Sequence, residues 1–160
     1  MTAFLARLYY SHMNKPRAPR RRATARGADN VMWSLLEAAR AVEAEIEQAL
    51  AGVQLSGAKL AALTHLVEAG EPVPLGELAE QCACVRSNIT QLVDRLEADR
   101  LVERVDDPAD RRSLRAAITP LGRERQAAGA RKVQEVRRRL GKALAGIDPV
   151  ALKRALEQLR

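Results

Sequence analysis

Few residues in this 160-residue chain combine the type and spacing that a reaction needs. The histidines His12 and His65 stand far apart, and no Ser/His/Asp set, metal-ligand cluster or phosphate-cradling glycine loop accompanies them. The reading is therefore of a non-enzyme without metal or cofactor. Cys82 and Cys84 are too few and too close for a secreted disulfide framework, which points to the cytoplasm. The informative cluster is polar and compact: Arg86, Ser87, Asn88, Thr90 and Gln91. Asn and Gln can pair bidentately with adenine, Arg with guanine, and hydroxyls with phosphates or bases, each good bidentate pair discriminating by about 1–3 kcal/mol.

Those side chains need a scaffold, and composition restricts what it can be. Apolar residues make up 47% and charged residues 29%, a globular balance at a length that suits one domain. Only four aromatics occur (Phe4, Tyr9, Tyr10 and Trp33), so the body packs with Leu, Val, Ile and Ala and lacks the stacking platforms that single strands and RNA use. A basic partner surface here points to duplex DNA. No apolar run approaches 18 residues, so no membrane partner is expected, and Arg7 interrupts the opening run, which makes a poor signal peptide.

The formal charge of +7 is unevenly placed. Residues 1–29 hold seven bases and one acid, leaving a net of +1 for residues 30–160. Lys15 to Arg26, rich in Arg, Pro and Ala without apolar periodicity, reads as a basic flexible arm over 1–29. Ser11-His12-Met13 reads as a cloning junction before a second start methionine, in which case residues 1–12 carry no meaning. Between Arg86 and Arg115 seven bases meet seven acids, so DNA binding there must come from where the arginines point.

Apolar residues at Val31, Leu35, Ala38, Val42, Ile46 and Leu50 predict a long amphipathic helix over 31–51. Ser56 can cap a second helix bearing Leu60, Leu63 and Val67, which Gly70 ends, and Pro72 and Pro74 then break the chain. A short helix near 75–81 and another reaching about Ala98, with Ile89, Leu92, Val93 and Leu96 inward, form a helix-turn-helix. Leu101, Val102 and Val105, then Leu114, Ala116 and Ile118, predict a β-hairpin around a polar loop. Thr119-Pro120 opens a helix running to about Ala145 with Val133, Val136, Leu140 and Leu144 on one face. Asp148-Pro149 starts a last one bearing Leu152, Leu156 and Leu159. The fold class is mainly α with a small hairpin wing.

In this order the residues resemble the MarR family of winged-helix transcriptional regulators over roughly 30–160. The strongest stretch runs from Arg86 to Glu97, followed by Leu101-Val102-Glu103-Arg104, Asp107-Pro108-Ala109-Asp110-Arg111-Arg112 and Ile118-Thr119-Pro120-Leu121-Gly122. The resemblance implies a DNA-binding winged-helix lobe at 53–119 and dimerisation helices at 30–52 and 120–160. It implies a homodimer on a pseudo-palindromic operator, with the helix of 86–98 in the major groove. Asp110 and Arg112 match the family's Asp-x-Arg wing, Asp110 orienting Arg112 toward the minor groove or merely stiffening the hairpin, with Arg111 and Arg115 as phosphate contacts. The apolar faces of the first, fifth and sixth helices exceed what one small domain buries, which independently supports a second copy.

Members bind small, often aromatic or phenolic effectors between dimer helices and DNA-binding lobe; Trp33 either lines such a pocket or packs in the core or dimer interface. Cys82 and Cys84 stand where the family has aliphatic residues. They are either buried structural thiols or a redox switch, in which a sulfenate or mixed disulfide would wedge a polar group into the turn. Asp99-Arg100 replaces the family's usual Gly, so either Arg100 takes a left-handed backbone or the helix ends differently. His65 reads as packing or solvent-facing. The function expected is a sequence-specific repressor released by ligand or oxidant; the alternative is a winged-helix protein-interaction or architectural module with weak DNA binding.

Overall fold

The computed structural model describes residues 27–82, 86–107 and 113–158, with backbone alone at 27–29, 86 and 87. The expected arm up to Arg26, Cys84, the wing residues Asp110, Arg111 and Arg112, and Leu159 lie outside the described residues. The chain forms α1 (Gly27–Ala51), α2 (Gly57–Ala69), β1 (Val73–Pro74), α3 (Leu75–Gln81), α4 (Arg86–Ala98), β2 (Val102–Asp106), β3 (Leu114–Ile118), α5 (Pro120–Ala143) and α6 (Pro149–Glu157). No described helix is long and apolar enough to cross a membrane.

The predicted caps set the ends. Ser56 Oγ accepts from Lys59 N at 3.3 Å, and Gly70 stops α2 at φ 74°. Thr119 Oγ1 accepts from Gly122 N at 2.9 Å with Pro120 at the first turn, and Asp148 caps α6 through Val150 N at 2.9 Å. Each cap satisfies an amide that the first helical turn leaves without a partner.

The core lies within the small lobe, where α2, α3 and α4 cover the sheet. Ile89, Leu92, Val93 and Leu96 are all buried, as α4's periodicity requires, alongside Leu63, Leu66, Leu78 and Val102. On α2 it is Leu66, three residues after Leu63, that turns fully inward, while Val67 is half-buried.

The expected two-stranded hairpin is a three-stranded antiparallel sheet in the order β1-β3-β2. Val73 pairs with Ala116 and Pro74 with Arg115, where a chain break was expected at Pro72 and Pro74. Proline is tolerated because β1 is an edge strand, whose outer amides need no ladder partner. Leu114 shares the inward face of Ala116 but sits at the wing end of β3 and is 40% exposed.

The long helices differ from the lobe. α1 starts four residues before Val31, and every side chain described from Asn30 to Ala41 is exposed. Its apolar stripe is covered only toward the C-terminal end, at Ile46 and Leu50. There α5 approaches: a Cβ on Gly129 would stand 3.4 Å from Leu50 Cδ2 of α1, and 2.8 Å from Leu55 Cδ1 and 2.9 Å from Leu60 Cδ1 beyond it. Arg139 Nε reaches Glu45 Oε1 at 2.7 Å, tying α5 to α1.

Candidate nucleic-acid interface

The helix-turn-helix consists of α3 and α4. α3 is anchored by buried Leu78 and Ala79 and ends on Cys82, whose amide donates to Leu78 O at 3.0 Å. Cys82 is 1% exposed and packs in the core cluster. On α4, Thr90 and Gln91 are exposed and Asn88 is half-buried, on the side away from Ile89, Leu92, Val93 and Leu96. Arg86 and Ser87 occupy the first turn of the same helix. The backbone thus places all five predicted readers at one helix end.

Several contacts hold α4 in place that sequence reading did not single out. Arg104 on β2 donates to both Asp94 and Glu97, and its own amide donates to Glu97 Oε1 at 3.4 Å. Partial burial opposes the Arg104 charge, but the hydrogen bonds and charges of Asp94 and Glu97 outweigh it and raise the guanidinium above its ordinary value. Beyond the helix end, Asp99 Oδ2 accepts from Lys59 Nζ at 2.5 Å, linking α4 to α2. The sequence signal was an acidic pair three residues apart near a helix end, followed by one arginine inside a short strand.

Of the two expected endings for α4, the left-handed one occurs. Arg100 has φ 59°; its amide donates to Glu97 O at 2.8 Å and that of Leu101 to Leu96 O at 2.8 Å. These two bonds form a Schellman closure with arginine at the position that favours glycine. The same turn joins α5: Thr119 Oγ1 donates to Arg100 O at 2.8 Å and Thr119 N to Leu101 O at 3.1 Å.

Arg115, expected as a phosphate contact, also makes two hydrogen bonds inside the chain. Its Nε donates to Asp107 Oδ2 at 2.8 Å and its Nη1 to Pro72 O at 3.3 Å. Asp107 is the buried charged residue among those described, at 7% exposure, and a buried carboxylate demands such a partner.

Trp33 stands 51% exposed on α1 and is not among the residues lining an open cavity of about 270 Å³, which are Gln54, Lys59, Asp99, Leu101, Leu121 and Arg125. The core-packing reading of Trp33 is therefore corrected within the single chain, because α1 projects past the lobe at that point. His65 is packed, with its side chain 12% exposed, Nδ1 3.9 Å from Glu68 Oε2 and Nε2 buried. Among the described residues no cluster of three His, Cys, Asp or Glu could hold a metal.

A helix-turn-helix backed by a three-stranded wing sheet and flanked by two long helices is a specific arrangement, and residues 53–113 match the model of the MarR family. Over that segment the chain is similar to the MarR family. The uncharacterized HTH-type transcriptional regulator YsmB of Bacillus subtilis is 43% identical over 60 residues, 38% of this chain and 40% of its own length. The matched segment thus spans less than half of that relative. Two solved structures superpose over most of the chain. CouR from Rhodococcus jostii RHA1, bound to p-coumaroyl-CoA, has a TM-score of 0.66 at 26% identity, covering 82% of this chain and 90% of its own. Sco3205 of Streptomyces coelicolor, a MarR family transcriptional regulator in complex with DNA, has a TM-score of 0.69 at 23% identity, covering 89% and 88%.

Proposed function

We propose that this chain is a homodimeric, sequence-specific duplex-DNA-binding transcriptional regulator, a repressor released by a small molecule or an oxidant. The observation that carries this reading is α4: its apolar side is buried, its C-terminal half is tied to β2 by Arg104, and its start presents Asn88, Thr90 and Gln91. A helix presented this way meets base edges with its first turns, where Arg86 and Ser87 also lie. Asp110, Arg111 and Arg112 supply the wing contacts, and the basic arm, read as 1–29 but ending before α1 begins at Gly27, adds sequence-independent phosphate contacts.

Val31, Met32, Trp33, Leu35 and Leu36 are 37–60% exposed on α1, and Ile147 and Val150 about half exposed near α6. These faces support a second copy seated on residues 30–52 and 120–160, with 53–119 as the DNA-binding lobe. Two-fold symmetry then sets half-sites about one helical turn apart. Small-molecule release draws support from CouR, whose structure holds p-coumaroyl-CoA, and Trp33 would line an aromatic or phenolic effector's site between the copies. Oxidant release would act through Cys82 or Cys84, at the turn that aims α4.

A mobility-shift assay on the DNA upstream of the chain's own coding region tests the reading. Binding should survive excess scrambled duplex, and Asn88→Ala or Gln91→Ala should lower the preference for the site by about 1–3 kcal/mol each. Length-dependent binding blind to sequence would overturn it.

A further inference from the structure

Arg115 lies on β3, the central strand of the sheet, opposite Val105 on β2 and Pro74 on β1. Its neighbour Ala116 faces the core, so alternation sends the Arg115 side chain to the other face. There one guanidinium spans both flanking strands, holding Asp107 Oδ2 just beyond β2 at 2.8 Å and Pro72 O just before β1 at 3.3 Å. Asp107 N in turn donates to Ser113 O at 3.1 Å, closing the pair of residues between which the wing loop departs and returns. β1 runs without a break into α3, the first helix of the helix-turn-helix.

We infer that Arg115 and Asp107 are positioning residues that latch the root of the wing to the strand leading into the helix-turn-helix, so that wing and α4 address DNA as one body. The inference rests on the DNA-binding reading above for its consequence, though not for its geometry. The arginine is suited to this because its planar fork offers several donors in fixed directions, and lysine's single point charge cannot hold two acceptors on opposite sides in the same way. Asp107 is suited because a buried carboxylate requires hydrogen-bond donors and Arg115 Nε supplies one, which favours the closed state.

The sign of one substitution separates this role from a field effect. Removing an acid beside DNA should tighten binding if charge alone matters, because the phosphates are negative. The latch predicts the opposite: Asp107→Ala weakens operator binding by about tenfold, the scale of one lost specific contact. Asp107→Asn, whose amide oxygen still accepts from Arg115 Nε, should restore most of that loss, and Asp107→Ala with Arg115→Ala should be no weaker than either alone. Tighter binding by both Asp107 variants, or additive losses, would sink the latch.

Amide hydrogen exchange on the unmodified full chain supplies a measurement that needs neither a variant nor DNA. The Asp107 amide should be protected as well as the β2–β3 ladder amides. Exchange orders of magnitude faster at Asp107 than in the ladder overturns the latch even where DNA binding holds. Slow exchange together with sequence-blind DNA binding by the unmodified chain upholds the latch and rejects the DNA reading instead.

Discussion

The lobe that carries α4 and the pair of long helices α1 and α5 are built on opposite electrostatic plans. From Arg86 to Arg115 bases and acids are equal in number, and within it Arg104 pairs with Asp94 and Glu97 and Arg115 with Asp107, while Asp99 pairs with Lys59 of α2. The long helices segregate charge instead. α1 has five acids and one base, whereas α5 has eight bases and two acids. Within residues 30–160, whose net is +1, residues 30–51 carry −3 and α5 carries +6. One region uses charge to fix its own geometry, and the other leaves a run of apolar side chains exposed on α1.

The largest expected effect breaks the second region. Trp33→Glu with Leu36→Glu should dissociate the proposed homodimer, because in a two-fold interface each substitution counts twice and a buried Trp is worth about 2 kcal/mol or more. Analytical ultracentrifugation should show a monomer, weakened by about 4 kcal/mol or more, whose helical circular dichroism persists because the lobe core does not use those residues. An unchanged dimer would remove α1 from the interface.

Next comes the joint between the regions. A Cβ on Gly122 would stand 2.0 Å from Leu101 O and 2.8 Å from Ile118 Cγ1, with backbone on the near side that cannot yield cheaply. Gly122→Ala should cost roughly 3 kcal/mol, lowering Tm by roughly 6 °C or more by differential scanning calorimetry. Gly141→Ala on the same helix has open space and should cost nothing comparable, which makes it the control.

Local signals made most of the lobe legible in sequence. Ser56, Gly70, Thr119 and Asp148 act through their own neighbours within a few residues, so the helix ends followed from chemistry written beside them. The inward face of α4 followed from its period in the same way. What stayed hidden depends on partners distant in the chain. β1 is two residues long, too short for any alternation, and exists because β3 offers its free edge to Val73. Arg115 could be read as a phosphate contact because its carboxylate partner is an ordinary loop aspartate until the sheet brings the two together. The periodicity from Val31 to Leu50 marked an apolar face on α1 without marking what covers it.

A smaller effect probes how α4 is held. Arg104 is 19% exposed, while Asp94 and Glu97 are 56% and 41% exposed, so solvent screens part of each ion pair. Arg104→Gln should cost about 1–2 kcal/mol in global stability. If the link positions α4, affinity for the operator should fall at temperatures well below the new Tm, measured by fluorescence anisotropy. Equal affinity at full folding would confine Arg104 to a stabilising role.

The smallest effect has the opposite sign. Arg100 and Gln54 are the non-glycine residues with positive φ among those described, at 59° and 57°, and both close helices with the same pair of bonds. The closure after α4 feeds the joint to α5, whereas that after α1 turns the chain into α2. An L side chain in this conformation costs about 1 kcal/mol, which glycine avoids. Arg100→Gly should therefore raise Tm by about 2–4 °C, and Gln54→Gly by a similar amount. The pair sharpens the contrast between the regions, because only the Arg100 turn shares its carbonyl with Thr119. If Thr119→Val reduces the gain from Arg100→Gly but not that from Gln54→Gly in a double-mutant cycle, the turn after α4 and the start of α5 are energetically one unit.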